Sequence, residues 1–432
     1  MVSLGRMYPI LVILLDGLAD RAHPELGGRT GNEAATTPNL DRLALDGSCG
    51  VIYAVGPGRA PSSEVAHWAM LGYRPDEFPG RAVFEALGHG QEVNAGYAFA
   101  FAALRPAEQR EDGLWLTGRP RYGEDEEDAA KLVDACAHLE VDGLTFSLEH
   151  FRRGEAILRV PDPADERVTD SDVFFRDRYP VLQPQALARD AEPTAAAAAK
   201  WTRRTHEILE EHPVNAERVE RGLPKLNVIT LKWWGRLHDV PSFPERHGLH
   251  GTFIAESAFL RGLATAVGLD TIAAPETRDS AADLRSRLTL ANERLDAGDT
   301  FVFVHLKATD EAGHTKDPRV KQRTIEELDA ELADLPTDRA IVCVTGDHCT
   351  PASREVIHSG DPVPFVLAGP GVRADSARAF GELDCAAGIL GHLRGPDMMP
   401  VLLNAADRPL YLGSRPTPFD GADGYPDVLK PL

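Results

Sequence analysis

Hydrophobic positions in this chain fall into two rhythms. Short continuous apolar runs occur at ILVILL (Ile10–Leu15), TFVFVHL, AIVCVTG and VPFVLAG. Runs of that length without alternation predict strands buried on both faces. From Leu226 onward such runs alternate with helix-like stretches: NVITL, GTFIAESAFLRGLATAV, TFVFVHL, QRTIEELDAEL, AIVCVTG, VPFVLAG. The alternation predicts an α/β fold, a mostly parallel sheet with helices on its faces. Near the start, TTPNLDRLALDG predicts a helix capped by Thr37, opened by Pro38 and ended at Gly47. SSEVAHWAMLGY predicts a second strand-to-helix junction.

The texture changes between about Ala95 and Pro224. YAFAFAAL alternates like a strand, GEDEEDAAK leads into a helix, EAILRV reads as another strand, and TAAAAAKWTRRTHEILEEH is a helix by propensity. The stretch holds few metal-type side chains. The expected organisation is one discontinuous catalytic domain, 1–94 with 225–432, and an inserted α+β cap domain over 95–224.

Composition narrows the class. A chain of 432 residues, 43% hydrophobic and 26% charged, is an ordinary soluble globular protein of two domains. No apolar run reaches a membrane span, and the start lacks a signal-peptide layout. Five cysteines without CxxC spacing argue against a disulfide framework, so a cytoplasmic enzyme is expected. The net charge of -21 disfavours nucleic acid and anionic membranes as partners. An anionic substrate would then need local positive charge, from metal ions and a few arginines. The sequence sets no oligomeric state.

Candidate chemistry collects where the apolar runs end. Asp16 follows ILVILL, Asp310 and His314 follow TFVFVHLKA, Asp347 and His348 follow AIVCVTG, and His358 lies just beyond. Open α/β sheets bind ligands at the carboxyl ends of their strands, so these segments are expected to converge. Asp310 and His314, four apart, face one way on a helix. Mixed Asp/His sets suit borderline divalent metals. Taken singly, each residue could instead cap a helix or satisfy a backbone group. Ser63, opening SSEVAHWAM, could be a metal-activated nucleophile at a helix N-terminus or a plain N-cap, and Ser62 competes for either role. His67 and His89 read as structural, and Cys343 and Cys349 as packing residues.

At LLDGLAD, TTPNLDRLA, SSEVAHWAMLGY, HPVN, FVHLKATDEAGH, VTGDHCTP and HSGDPVP the sequence resembles the alkaline phosphatase superfamily, specifically cofactor-independent phosphoglycerate mutases of the archaeal type. The resemblance implies an alkaline-phosphatase-like sheet with an inserted cap. It implies one metal on Asp310, His314 and His358, and another on Asp16, Ser63, Asp347 and His348, with Mn²⁺ or Zn²⁺ favoured and Mg²⁺ or Co²⁺ as alternatives. It makes Ser63 the nucleophile and a phosphoserine the intermediate of a 2-phosphoglycerate/3-phosphoglycerate isomerisation in glycolysis.

The substrate side departs from the family pattern. LKWWGRL replaces an arginine followed by glycine and alanine, placing Lys232, Trp233 and Trp234 there; His250 stands where a lysine is common; YAFAFAAL carries alanines for an arginine and an asparagine. Arg81, Lys232, His250 and Arg152 are the candidate substrate contacts, with Arg119 and Arg153 as alternatives. The expected ligand is a small phosphorylated or phosphonylated anion. Phosphonate-type group transfer and a metal-dependent phosphatase or phosphodiesterase are the competing activities.

Overall fold

The computed structural model describes residues 7–121, 123–173, 178–353 and 356–410. The chain divides into two compact units, Met1–Phe78 with Val240–Leu432, and Pro79–Asp239.

The first unit is built on an eight-stranded sheet. From edge to edge its strands are Asp270–Ala273, Gly251–Ala255, Phe301–Leu306, Ile10–Leu15, Ile341–Thr345, Val363–Ala368, Ser48–Tyr53 and Gly391–Arg394. All run the same way except Val363–Ala368, which is antiparallel to both neighbours. Its apolar run looks like the others because a strand covered on both faces carries no mark of direction. Ile10–Leu15 lies in the middle, paired Ile10↔Phe301 to Leu15↔Leu306 on one side and Ile10↔Ile341 to Leu14↔Thr345 on the other. Its six side chains are wholly buried, each contributing roughly 1.5–3 kcal/mol. The shared direction of the strands brings the loops after Leu15, Leu306 and Thr345 to one edge of the sheet.

The expected helix of TTPNLDRLALDG spans Pro38–Asp46, with Thr37 at its N-cap and Pro38 in the first turn. Gly47 ends it for a steric reason and not through a left-handed turn. Its φ is -123°, and a Cβ there would lie 2.3 Å from the carbonyl oxygen of Leu367.

The second unit holds a five-stranded antiparallel sheet, ordered His138–Val141, Leu144–Arg152, Glu155–Pro161, Tyr97–Arg105, Val228–Gly235, and a small hairpin of Ala107–Arg110 with Gly113–Leu116. Tyr97–Arg105 is covered on both faces. Ala98, Ala100 and Ala102 share a core with Ala195, Ala197, Ala198 and Trp201 of the helix Glu192–Glu210, so small residues on both sides permit close approach. Phe99, Phe101 and Ala103 share another with Ala82, Val83 and Ala86 of the helix Arg81–Gly88.

The expected boundaries at 94/95 and 224/225 fall inside this unit, which extends from Pro79 to Asp239. The helix Arg81–Gly88 packs on Tyr97–Arg105, and NVITL continues into Val228–Gly235, the antiparallel partner of that strand. Nothing in either segment's own sequence names its sheet. All five cysteines are buried free thiols. No described helix is long and apolar enough to cross a membrane.

Candidate metal centre

Three loops, one short helix and the start of another bring the candidate residues together at the carboxyl edge of the large sheet. Asp16 follows Leu15 directly and is almost wholly buried. Asp310 and His314 lie one turn apart on the helix Ala308–His314, with His314 Nε2 3.2 Å from Asp310 Oδ1. Asp347 and His348 leave the strand Ile341–Thr345 through an irregular loop, as adjacent inward-facing side chains require. His348 Nε2 is 3.3 Å from Asp16 Oδ1 and 3.3 Å from Asp347 Oδ2. His358 Nε2 lies 3.5 Å from Asp310 Oδ1, and its ring stacks on His348 with centroids 3.9 Å apart. Among the described residues two groups have metal-ligand geometry, Asp16–Asp347–His348 and Asp310–His348–His358, with His348 common to both. His314, whose side chain is 38% exposed, approaches an almost wholly buried Asp310.

Ser63 is the first residue of the helix Ser63–Met70, and its Oγ is 3.3 Å from His348 Nε2. Ser62, at the N-cap, instead donates its hydroxyl to Glu64 Oε1 at 2.8 Å. The ambiguity left by local chemistry is thus separated by orientation. The helix start also places partial positive charge beside Ser63.

The residues fit divalent cations. Burying the three carboxylates of Asp16, Asp310 and Asp347 together is costly without positive charge between them. Lys307 supplies some, with Nζ 3.4 Å from Asp310 Oδ2. Asp16 Oδ1, Asp347 Oδ2 and His358 Nε2 are buried without a hydrogen-bond partner, and all three belong to the two groups. Burial raises the Asp16 carboxyl, but hydrogen bonds from His305 and His348 and the Lys307 charge outweigh it and hold it well below its ordinary range. Burial and the neighbouring Asp16 push Asp347 up to about 6. Burial disfavours the His348 imidazolium, yet Asp347 and Asp16 overcome that and raise it to about 9.

The Metalloenzyme superfamily profile matches residues 8–405. A 2,3-bisphosphoglycerate-independent phosphoglycerate mutase of Methanopyrus kandleri is 36% identical over 422 residues, covering 94% of this chain and 98% of the relative. A second such mutase, from Methanocaldococcus jannaschii, is 34% identical over 418 residues, covering 94% and 95%. The chain belongs to this metalloenzyme family of phosphoglycerate mutases. A solved cofactor-independent phosphoglycerate mutase of Thermoplasma acidophilum superposes with a TM-score of 0.65 at 29% identity, covering 93% of this chain and 100% of that one. The α/β class and its mostly parallel sheet are those expected of the family.

Of the substrate-side candidates, His250 lies in the same unit as the metal-type residues and Arg81, Lys232 and Arg152 in the other. His250 precedes Gly251 at the amino end of its strand, where it exchanges hydrogen bonds with Thr300, also at a strand's amino end. The strands Gly251–Ala255 and Phe301–Leu306 are parallel and in register from Gly251↔Phe301. A five-residue strand spans roughly 17 Å, so His250 lies at the opposite end of the sheet from the centre. The assignment of His250 to substrate is therefore corrected. Arg81, Lys232 and Arg152 belong to the second unit, each with a carboxylate partner: Glu85 at 3.1 Å, Asp172 at 3.4 Å and Glu155 at 2.9 Å.

Four supporting residues escaped the sequence reading or were set aside by it. His305 Nε2 is 3.1 Å from Asp16 Oδ2. Thr350 Oγ1 donates to Asp310 Oδ1 at 2.7 Å and lies 3.1 Å from His348 Nδ1. Lys307 touches Asp310. His67, read as structural, is wholly buried and uses Nδ1–H to reach the Ser63 carbonyl at 2.7 Å. The available signal was a histidine inside the apolar run TFVFVHL and a threonine two residues past His348.

A buried carboxyl behind the centre gives a pH prediction. Glu382 accepts from the Asp20 amide and the Thr30 hydroxyl, and burial raises it to about 7. Raised in the fold, this group contributes stability that is complete below its unfolded value and disappears as pH climbs through about 7. Urea midpoints of Glu382→Gln should depend less on pH between 5 and 8 than those of the parent. Parallel profiles would rule the carboxyl out as the cause.

Proposed function

We propose that this chain interconverts 2-phosphoglycerate and 3-phosphoglycerate through a phosphoserine at Ser63, with two divalent cations, Mn²⁺ or Zn²⁺ before Mg²⁺ or Co²⁺. The observation that carries the reading is Ser63 Oγ at 3.3 Å from His348 Nε2, the side chain shared by both ligand groups. The mutase names of the relatives support it. Asp16, Asp347, His348 and Ser63 would hold one cation, and Asp310, His314 and His358 the other. When bound, such cations lower the pKa of a coordinated hydroxyl and neutralise phosphoryl charge.

The chain's own groups do the rest. Ser63 Oγ forms a bond to phosphorus as the bond to one glycerate hydroxyl breaks, and the neighbouring hydroxyl of the same glycerate later takes the group back. The N-terminus of Ser63–Met70 favours the serine anion, and Lys307 adds a cation beside Asp310. Substrate recognition is assigned to the second unit. There the Arg81 guanidinium stacks 3.9 Å over the Trp233 ring and Lys232 Nζ lies 4.9 Å from the same ring. Two cations on one aromatic wall suit a small anion. Arg152 is a peripheral contact in this scheme.

Incubation of the metal-loaded chain with 3-phosphoglycerate, followed by chromatography, should yield 2-phosphoglycerate with no inorganic phosphate. Release of inorganic phosphate would replace the mutase reading by a phosphatase. Turnover of a phosphonate analogue alone would replace it by phosphonate-type transfer.

A further inference from the structure

Thr350 stands between the two ligand groups. Its side chain is wholly buried, and its hydroxyl lies 2.7 Å from Asp310 Oδ1 and 3.1 Å from His348 Nδ1. A carboxylate can only accept, so the single hydroxyl hydrogen goes to Asp310. The oxygen then accepts from His348 Nδ1–H. That bond fixes the tautomer and the ring plane: Nδ1 keeps its hydrogen, and Nε2 is the nitrogen presented to Asp16, Asp347 and Ser63.

The threonine is itself held rigidly. Its amide donates to the Ala19 carbonyl at 3.1 Å, and its carbonyl accepts from Lys321 Nζ at 2.8 Å. The same buried ammonium bonds the carbonyls of Gly17 and Ala19 at 2.8 and 2.6 Å. It thereby ties the loop after the central strand to the loop that carries His348. Two glycines make room for the threonine: a Cβ on Gly17 would come within 2.4 Å of Thr350 Oγ1, and one on Gly313 within 2.7 Å of its methyl carbon. Neither loop can shift without disturbing the hydroxyl.

We infer that Thr350 is a positioning residue for both cation sites, one hydroxyl orienting Asp310 of one group and His348, which is common to both. The inference rests on the two-cation reading above. Partners of this kind typically change metal affinity about 10–100-fold when removed.

The test uses the full chain, with Mn²⁺ binding measured by equilibrium dialysis and the visible spectrum of the Co²⁺-loaded protein recorded. Thr350→Val keeps the shape and removes the hydroxyl; Thr350→Ala removes it without setting a methyl group against the Asp310 carboxylate. Thr350→Ser keeps it. The expected result is Mn²⁺ affinity weakened about 10–100-fold at both sites in Val and Ala, an altered Co²⁺ spectrum, and parent-like behaviour in Ser. Parent-like affinity in a folded Val or Ala variant overturns the inference. So does equal weakening in Ser, which would make packing the cause, or weakening at one site alone. A parent protein that fails to bind two Mn²⁺ ions removes the two-cation reading itself, and this is seen before any variant is made.

Discussion

Ser63→Ala should lower mutase turnover by at least ~10⁴-fold, the scale on which removing a nucleophile ordinarily acts. Metal content should fall much less, because Asp16, Asp347 and His348 still present their ligand atoms to one another at 3.3 Å through His348 Nε2. The backbone around the substitution also stays in place, since His67 holds the residue 63 carbonyl and not its side chain. Ser62→Ala is the paired control. Its hydroxyl is engaged by Glu64, so turnover should stay within a few-fold of the parent. Rapid-quench trapping of a labelled phosphoprotein would complete the comparison, with label retained in Ser62→Ala and absent in Ser63→Ala. Equal activity of Ser63→Ala and parent would end the assignment, whatever the metal content.

The second large effect is expected at His348. It is the side chain common to both ligand groups, it faces Ser63, and its other nitrogen meets Thr350. His348→Ala should therefore cost more metal than any single carboxylate change and lower turnover to the level of the chelator-treated protein. Asp16 and Asp347 would then lose the imidazole that faces each of them at 3.3 Å, so the metal-free variant should hold a proton that the parent releases on metal binding. Metal analysis after dialysis gives the first readout and proton release on Mn²⁺ addition the second. Two ions retained at parent affinity in His348→Ala would show that the two groups do not depend on a shared ligand.

Much of this centre was legible because a parallel sheet turns sequence position into spatial position. Asp16, Asp310 and Asp347 each follow an apolar run, and runs sharing a direction deliver their following loops to one edge. The same rule, applied to His250, which precedes its strand, would have kept it off the list of substrate contacts. The limits of the second unit were not legible, because they depend on which distant strand Val228–Gly235 pairs with, and its own residues do not say. Likewise Val363–Ala368 hides its reversal, being buried on both faces. Thr350 and His305 act on ligands that lie far off in the chain, 40 residues for Asp310 and 289 for Asp16, and no local pattern records such a partnership. The choice between Ser62 and Ser63 turned on a hydroxyl orientation, which sequence cannot supply.

The central position of Ile10–Leu15 bears on how the protein is made. Once synthesised, this wholly apolar hexamer waits for a flanking strand encoded roughly 290 residues downstream, as the 289-residue separation of Asp16 and His305 measures. At translation speeds of about 5–20 residues per second the wait is roughly 15–60 s. During that interval both of its hydrogen-bonding edges lack their native neighbours, a template for intermolecular pairing. The interposed antiparallel sheet needs only residues already synthesised, so it can form while the hexamer still lacks both neighbouring strands.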